Sequence, residues 1–139
     1  MKKTPQVGLQ GTHRLTVTAK QLVPALYPEF ASFLQMPPAF ATGFLVGFVE
    51  WACIETINPH LDAGERSVGI HINISHETAT PADMIVTARV VCIRLAGRRL
   101  YWSFEVRDEI DIISRGQHER FVIDLDRFMT TMRQKQDVR

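Results

Sequence analysis

The sequence predicts an α+β fold: an antiparallel sheet of about five strands wrapped around one long central helix, with a lid segment before it and a short C-terminal helix. Three observations carry this expectation. The stretch 40–58, FATGFLVGFVEWACIETIN, is apolar on nearly every side at 3.6 residues per turn, and such a helix must be covered by other elements. After residue 65 the apolar period switches from 3.6 to 2. The strand-like runs that follow are joined by short turns, which connect antiparallel neighbours. A sheet of that kind with one apolar face needs a cover, and the helix is the element apolar enough to supply it.

In chain order, residues 13–18, HRLTVT, alternate weakly and read as a first strand. From Gln21 to Pro38 the chain is apolar but broken by Pro24, Pro28, Pro37 and Pro38. Two readings fit it, a lid over a pocket or an irregular loop packed on the core. Pro37 and Pro38 end any helix before them and let the long helix start near Phe40. The exit, NPHLDAGER, carries Pro59 and Gly64. In Ser67–Ser75, strict alternation puts Val68, Ile70, Ile72 and Ile74 on one face and Gly69, His71 and Asn73 on the other. Residues 84–95 form the next strand, AGRR a short hairpin connection, and Leu100, Trp102, Phe104 and Val106 the apolar face of another. A last strand spans 112–123, weakening around SRGQHER, and Leu125, Phe128, Met129 and Met132 recur at helical spacing.

The 139 residues suit one domain, 1–139, with a real core. With 22% charged residues and a net charge of +1, nothing favours nucleic acid or an anionic membrane. The first residues, MKKTPQVGLQGTH, have no apolar run after the lysines, so no signal peptide is expected, and the long helix is too short to span a bilayer. A cytoplasmic protein is the expectation. Cys53 and Cys92 lie in apolar runs without metal or redox spacing, and read as buried thiols.

Glu50 is the single charge in the apolar helix. A buried carboxylate must be paired, protonated or functional, because leaving it unpaired costs several kcal/mol. A Glu in an apolar setting is suited to general acid or base work near neutrality. His76 continues the parity of Ile74 and points toward the helix, while His71 points away, so the two do not form a metal pair. Thr42 stands in the first turn, as a cap or beside free amides able to hold a carbonyl oxygen. Eight residues of helical rise separate Thr42 from Glu50 by about 12 Å, so one hydrogen bond cannot join them along a straight helix. Either Thr42 folds back before the first turn or the site combines residues from two subunits. Arg120, Arg98 and Arg99 are the cationic candidates, suited to phosphate or carboxylate. No phosphate loop, nucleophile elbow or dinucleotide fingerprint is present.

The segments FATGFLVGFVEWAC, GIHINISHETATP, GRRLYW and GQHERFVI resemble, in order and spacing, the fluoroacetyl-CoA thioesterase family among the hotdog-fold thioesterases. The resemblance runs from LYPE at 26–29 to MRQK at 132–135. It implies a homodimeric hotdog enzyme that hydrolyses a short-chain acyl-CoA, fluoroacetyl-CoA among the candidates, with sites near the dimer interface. It also implies no cofactor beyond the CoA of the substrate and no metal. By matching position, Thr42, Glu50 and His76 are the catalytic set, while Gly69 and Arg120 contact the acyl-CoA. In the lid, Val23 and Leu26 fit the apolar pattern and Phe33 is kept, but Met36 stands where the family has an aromatic residue. Methionine adapts to irregular volumes, which leaves the acyl group open. The rival reading is a non-catalytic acyl-CoA or small-molecule binding domain using the same pocket.

Overall fold

The computed structural model describes residues 1 and 4–139. Lys2 and Lys3, which entered the reading of the N-terminus, lie outside the described residues. Five strands form one antiparallel sheet: β1 Gln10–Thr16, β2 Glu65–Ile74, β3 Ile85–Ala96, β4 Arg99–Arg107 and β5 Ile112–Asp124. Their spatial order is β1-β3-β4-β5-β2, so β1 and β2 are the edges. The β3–β4 connection is the two-residue turn Gly97–Arg98, and Gly97 takes φ +60°, a conformation glycine adopts without penalty at the first loop position of a tight hairpin.

Along β4 the expected face is realised, with Leu100, Trp102, Phe104 and Val106 all buried. Val86, Ala88, Val90 and Cys92 of β3 join them, as do Ile113 and Val122 of β5. β5 does not weaken around Gly116, because Gly116 pairs with both Ile74 and Phe104 across the ladders. The first strand lies earlier than expected, Gln10–Thr16 rather than 13–18, since its register is set by pairing with β3.

Before the long helix come two single-turn helices, α1 Val23–Leu26 and α2 Ala31–Leu34, each ended within a turn, as the prolines foretell. The segment is anchored near both ends: Val23 N donates to Ala39 O at 2.9 Å and Ala41 N to Gln21 O at 2.9 Å. Between the anchors it is loosely seated, with Tyr27, Phe30, Leu34 and Met36 exposed.

The long helix, α3, runs Thr42–Ile57, two residues shorter at the front than expected. Phe40 is held as extended chain by a bridge to Leu22 and a 2.8 Å bond from its N–H to Thr80 O. The sheet covers only one side of α3. Leu45, Phe48, Val49, Ala52, Cys53 and Ile57 are buried, while Gly43, Gly47 and Trp51, spaced one turn apart, are exposed. The expected arrangement, a sheet of five strands wrapped on one long helix, is realised: the sheet covers the face of α3 that lies on it, and the opposite face is exposed in one chain.

The alternation expected of β2 is corrected. The register with β5 passes from Gly69↔Arg120 to His71↔Glu119, so Ile70 is an extra, bulged residue. Side-chain parity flips there. Ile72 lies across from the inward-facing His118, as the alternation predicts. Upstream of the bulge, Gly69 and not Ile70 faces α3, and Ile70 is 43% exposed. After β5, α4 Leu125–Val138 begins at Asp124, whose carboxylate accepts from Arg127 N at 3.0 Å, an ordinary acidic N-cap. None of the helices among the described residues is long and apolar enough to cross a membrane.

Candidate active site

Polar groups gather at two points along α3. At its N-terminus, Thr42 is the first helical residue, and Ala41 rather than Thr42 takes the cap position. The Thr42 hydroxyl is therefore free to leave the helix, and its Oγ1 lies 2.7 Å from Nδ1 of His76. His76 follows β2 directly and points toward α3, as its parity predicts. Burial pushes its imidazole pKa below the ordinary 6.5, which favours the neutral ring. Its Nε2 is buried and has no hydrogen-bond partner among the described residues. Beside this pair lies a cavity of about 330 Å³ lined by Val23, Met36, Phe40 and Ala79 with Thr42 and His76. The free amides of the first turn of α3 open near the same place.

Two turns further on, Glu50 leaves α3 toward β2 and β5. It is less buried than the apolar helix implies: its side chain is 38% exposed, and the enclosed charge is its partner, Arg120, at 3%. Arg120 Nη1 donates to Glu50 Oε2 at 3.0 Å. Its Nε donates to Ser67 Oγ at 2.9 Å and its Nη2 to Ser67 O at 2.7 Å. Gly69 lies under the carboxylate, where a Cβ would come within 2.7 Å of Glu50 Oε2. A cavity of about 280 Å³ opens here, lined by Val46, Glu50, Gly69, Ile72 and His118.

The structure thus brings Thr42 to His76, and Glu50 to Gly69 and Arg120, but keeps the two groups apart in one chain. Eight residues of helical rise, about 12 Å, separate their anchors on α3. Of the lid residues, Val23 and Met36 line the cavity next to Thr42. Leu26 packs over Gly43, where a Cβ would meet its Cδ1 at 3.2 Å. Phe33 lies against Tyr27 within the lid, ring centroids 5.5 Å apart, and is not among the residues lining that cavity. Arg98 is drawn off to Glu65 at 2.7 Å, and Arg99 lies 3.8 Å from Glu119.

Two residues of the Glu50 group escaped the sequence reading, Ser67 and His118. His118 is 2% exposed and its Nε2 lies 3.1 Å from Arg120 Nη1. A signal was available: His118, Arg120 and Val122 share one parity on β5, so whichever face buries Val122 also buries the other two. Ser67 gave none, because the bulge at Ile70 reverses the side to which it points. Among the described residues no group of three or more His, Cys, Asp or Glu side chains is placed to hold a metal ion.

One long helix laid on a strongly curved, five-stranded antiparallel sheet, with polar groups at the helix start and where the helix passes β2 and β5, defines the hotdog class. The same architecture recurs in a thioesterase superfamily member from Thermus thermophilus, at a TM-score of 0.86 over 99% of this chain and 96% of that one, although only 23% of residues are identical. The chain belongs to the fluoroacetyl-CoA-specific thioesterase family, whose profile matches residues 24–126. It is 42% identical over 135 residues to the fluoroacetyl-CoA thioesterase of Streptantibioticus cattleyicolor, covering 97% of each chain. A mutant of the fluoroacetyl-CoA-specific thioesterase FlK, solved in complex with fluoroacetate and CoA, superposes with a TM-score of 0.87 and 42% identity over 89% of this chain and 99% of that one.

Proposed function

We propose that this protein hydrolyses a short-chain acyl-CoA to the free acid and CoA, working as a homodimer with Thr42, Glu50 and His76 as its catalytic residues. The observation that carries the reading is the Glu50 carboxylate, held at 3.0 Å by a buried arginine at the edge of a cavity. A binding domain has no use for an oriented carboxylate with an open side; a hydrolase needs one, either to deprotonate water or to attack the thioester carbonyl.

The parts divide the work by position. Amides at the N-terminus of α3 polarise the thioester carbonyl and stabilise the oxyanion as it forms. Glu50 takes the proton of the attacking water, or attacks itself to give a mixed anhydride that water then opens. In both routes the C–S bond breaks and the thiolate leaves as CoA, protonated on departure. His76, neutral and unpartnered at Nε2, serves proton transfer, and Thr42 fixes its ring through Nδ1. Val23 and Met36 present an apolar wall to the acyl group, and Met36 adapts to its shape. CoA belongs to the substrate; no other cofactor enters.

Two features support a homodimer. The face of α3 that carries Gly47 and Trp51 is not covered by the sheet, and Trp51, although it touches the His13 ring, remains 41% exposed in one chain. The edge strand β2 is hydrogen-bonded only to β5, leaving its other side open for pairing. A second copy placed there brings Glu50 of one subunit toward Thr42 and His76 of the other, which resolves the 12 Å separation along a single helix (about 1.5 Å per residue).

The test is release of free thiol from a panel of acetyl-, fluoroacetyl-, branched and aromatic acyl-CoAs. Wild type is expected to release thiol from the short acyl groups, and Glu50→Gln and His76→Ala each to lose at least about a hundredfold in kcat. Binding of acyl-CoA without thiol release from any of them would establish the binding-domain reading instead.

A further inference from the structure

His118 stands beside the Glu50–Arg120 pair, at the wall of the same cavity, and its two ring nitrogens meet groups of fixed character. Nδ1 lies 2.7 Å from His71 O. A carbonyl can only accept, so Nδ1 carries a proton. Nε2 lies 3.1 Å from Arg120 Nη1, and a guanidinium can only donate, so Nε2 carries a lone pair. One species satisfies both contacts, the neutral imidazole protonated at Nδ1.

That assignment accounts for both hydrogens of Arg120 Nη1. Ser67 accepts from Nε and from Nη2, which clamps one edge of the guanidinium. Nη1 has two hydrogens, and its acceptors are His118 Nε2 and Glu50 Oε2. With His118 taking one, the other is aimed at the carboxylate. We propose that His118 is a positioning residue of the hydrolytic site: as a neutral acceptor it fixes the Arg120 guanidinium in the orientation that holds Glu50. The role rests on the acyl-CoA hydrolase reading.

The surroundings agree with a neutral ring. His118 faces Arg120 on its own strand, Glu50 on α3 and the His71 carbonyl on β2, while Glu119, next in the chain on the other face of the sheet, acts on it only through its charge. Burial first, and the Arg120 charge after it, outweigh the His71 carbonyl and the two carboxylates, so its pKa is depressed from 6.5. A protonated ring would set an N–H against the guanidinium. An apolar replacement leaves a buried Nη1–H without an acceptor, and the guanidinium must then twist to find one, carrying Glu50 with it.

Two substitutions separate this role from simple core filling. His118→Gln keeps an acceptor near the place of Nε2; His118→Leu keeps bulk and removes it. The expected result is a loss of about tenfold or more in kcat for the Leu variant, with KM changed by less than about twofold, and recovery of most of that loss in the Gln variant. Equal kcat per folded molecule in the two variants, with wild type active, would overturn the positioning role and leave the hydrolase reading intact. Failure of wild type to release thiol from any acyl-CoA would remove both. Imidazole nitrogen NMR on wild type reads the tautomer without turnover: a protonated Nδ1 and bare Nε2 at neutral pH support the role, and the opposite tautomer or an imidazolium refutes it.

Discussion

Gly69 and Glu50 meet so closely that there is no room between them for a methyl group, since a Cβ on residue 69 would lie 2.7 Å from Oε2. The same Cβ would stand 3.3 Å from Arg120 Nη1, so it would wedge itself beside the very bond that orients the carboxylate. Gly69→Ala is expected to lower kcat by roughly ten- to a hundredfold, because a displacement of about 1 Å in a reacting group has effects of this size. Folding should be little affected. Oε2 is the far end of a flexible, half-exposed side chain and can move aside, so the melting temperature should stay within a few degrees of wild type, about what 1 kcal/mol produces. Thiol release and a thermal melt on the same sample check both halves. Wild-type kcat in the alanine variant would show that the carboxylate needs no fixed position.

The Thr42–His76 bond makes a different demand. What matters there is an oxygen 2.7 Å from Nδ1, not the methyl group that distinguishes threonine from serine. Thr42→Ser should therefore retain activity within about threefold, whereas Thr42→Val, which keeps the shape and loses the hydroxyl, should lose about tenfold, the worth of one hydrogen bond of about 1 kcal/mol or slightly more. Steady-state kinetics on both variants decide the point.

Stability should fall steadily as the solution is acidified, in two separate windows. His76 and His118 both have folded pKa values below 6.5, so in the range below 6.5 the unfolded chain binds more protons than the folded one, and stability drops as pH falls through it. Glu65 acts lower down. The Asp62 backbone N–H, then the Met1 amine and Arg98, hold its carboxylate at about 2 against an ordinary 4.5. Its contribution is complete above 4.5 and is lost as pH falls toward about 2. Urea midpoints across pH should show both descents, and Glu65→Gln should flatten the lower one while leaving the upper in place.

The helix and the sheet were legible in the sequence because each carries a period that only one backbone satisfies. Leu100, Trp102, Phe104 and Val106 alternate without a break, and all four are buried. The bulge at Ile70 was not legible, since an extra residue leaves the composition of β2 unchanged and shows only in its pairing with β5. Its effect on the site is large: strict alternation turns Gly69 away from α3, and the bulge turns it toward Glu50. The burial of Glu50 was overestimated for a related reason. An all-apolar helix says that every face is covered, yet the sheet covers only one, and a sequence period does not reveal which face that is. His118 had its signal in the parity of β5, but its partner Arg120 had to be recognised as buried before that signal meant anything.

The open face of α3 and the separation of the two polar groups lead to a prediction that distinguishes a shared site from one contained in a single chain. Glu50→Gln and His76→Ala are each expected to be inactive as homodimers. If each site takes Glu50 from one subunit and His76 from the other, a heterodimer of the two variants carries one site with both residues intact and one with neither. Random exchange of equal amounts puts about half of the dimers in mixed form, so about a quarter of all sites, and of wild-type activity, should return. Sites made within one chain would return none, because every chain in the mixture lacks one of the two residues. Exchange itself can be followed by tagging one variant and measuring the mixed species by mass, so that recovered activity is read against the fraction of heterodimer present. Activity rising in proportion to that fraction would place Glu50 and His76 of one working site on different subunits, and the 12 Å of helix between Thr42 and Glu50, at about 1.5 Å per residue, would then be the spacing between halves of two sites.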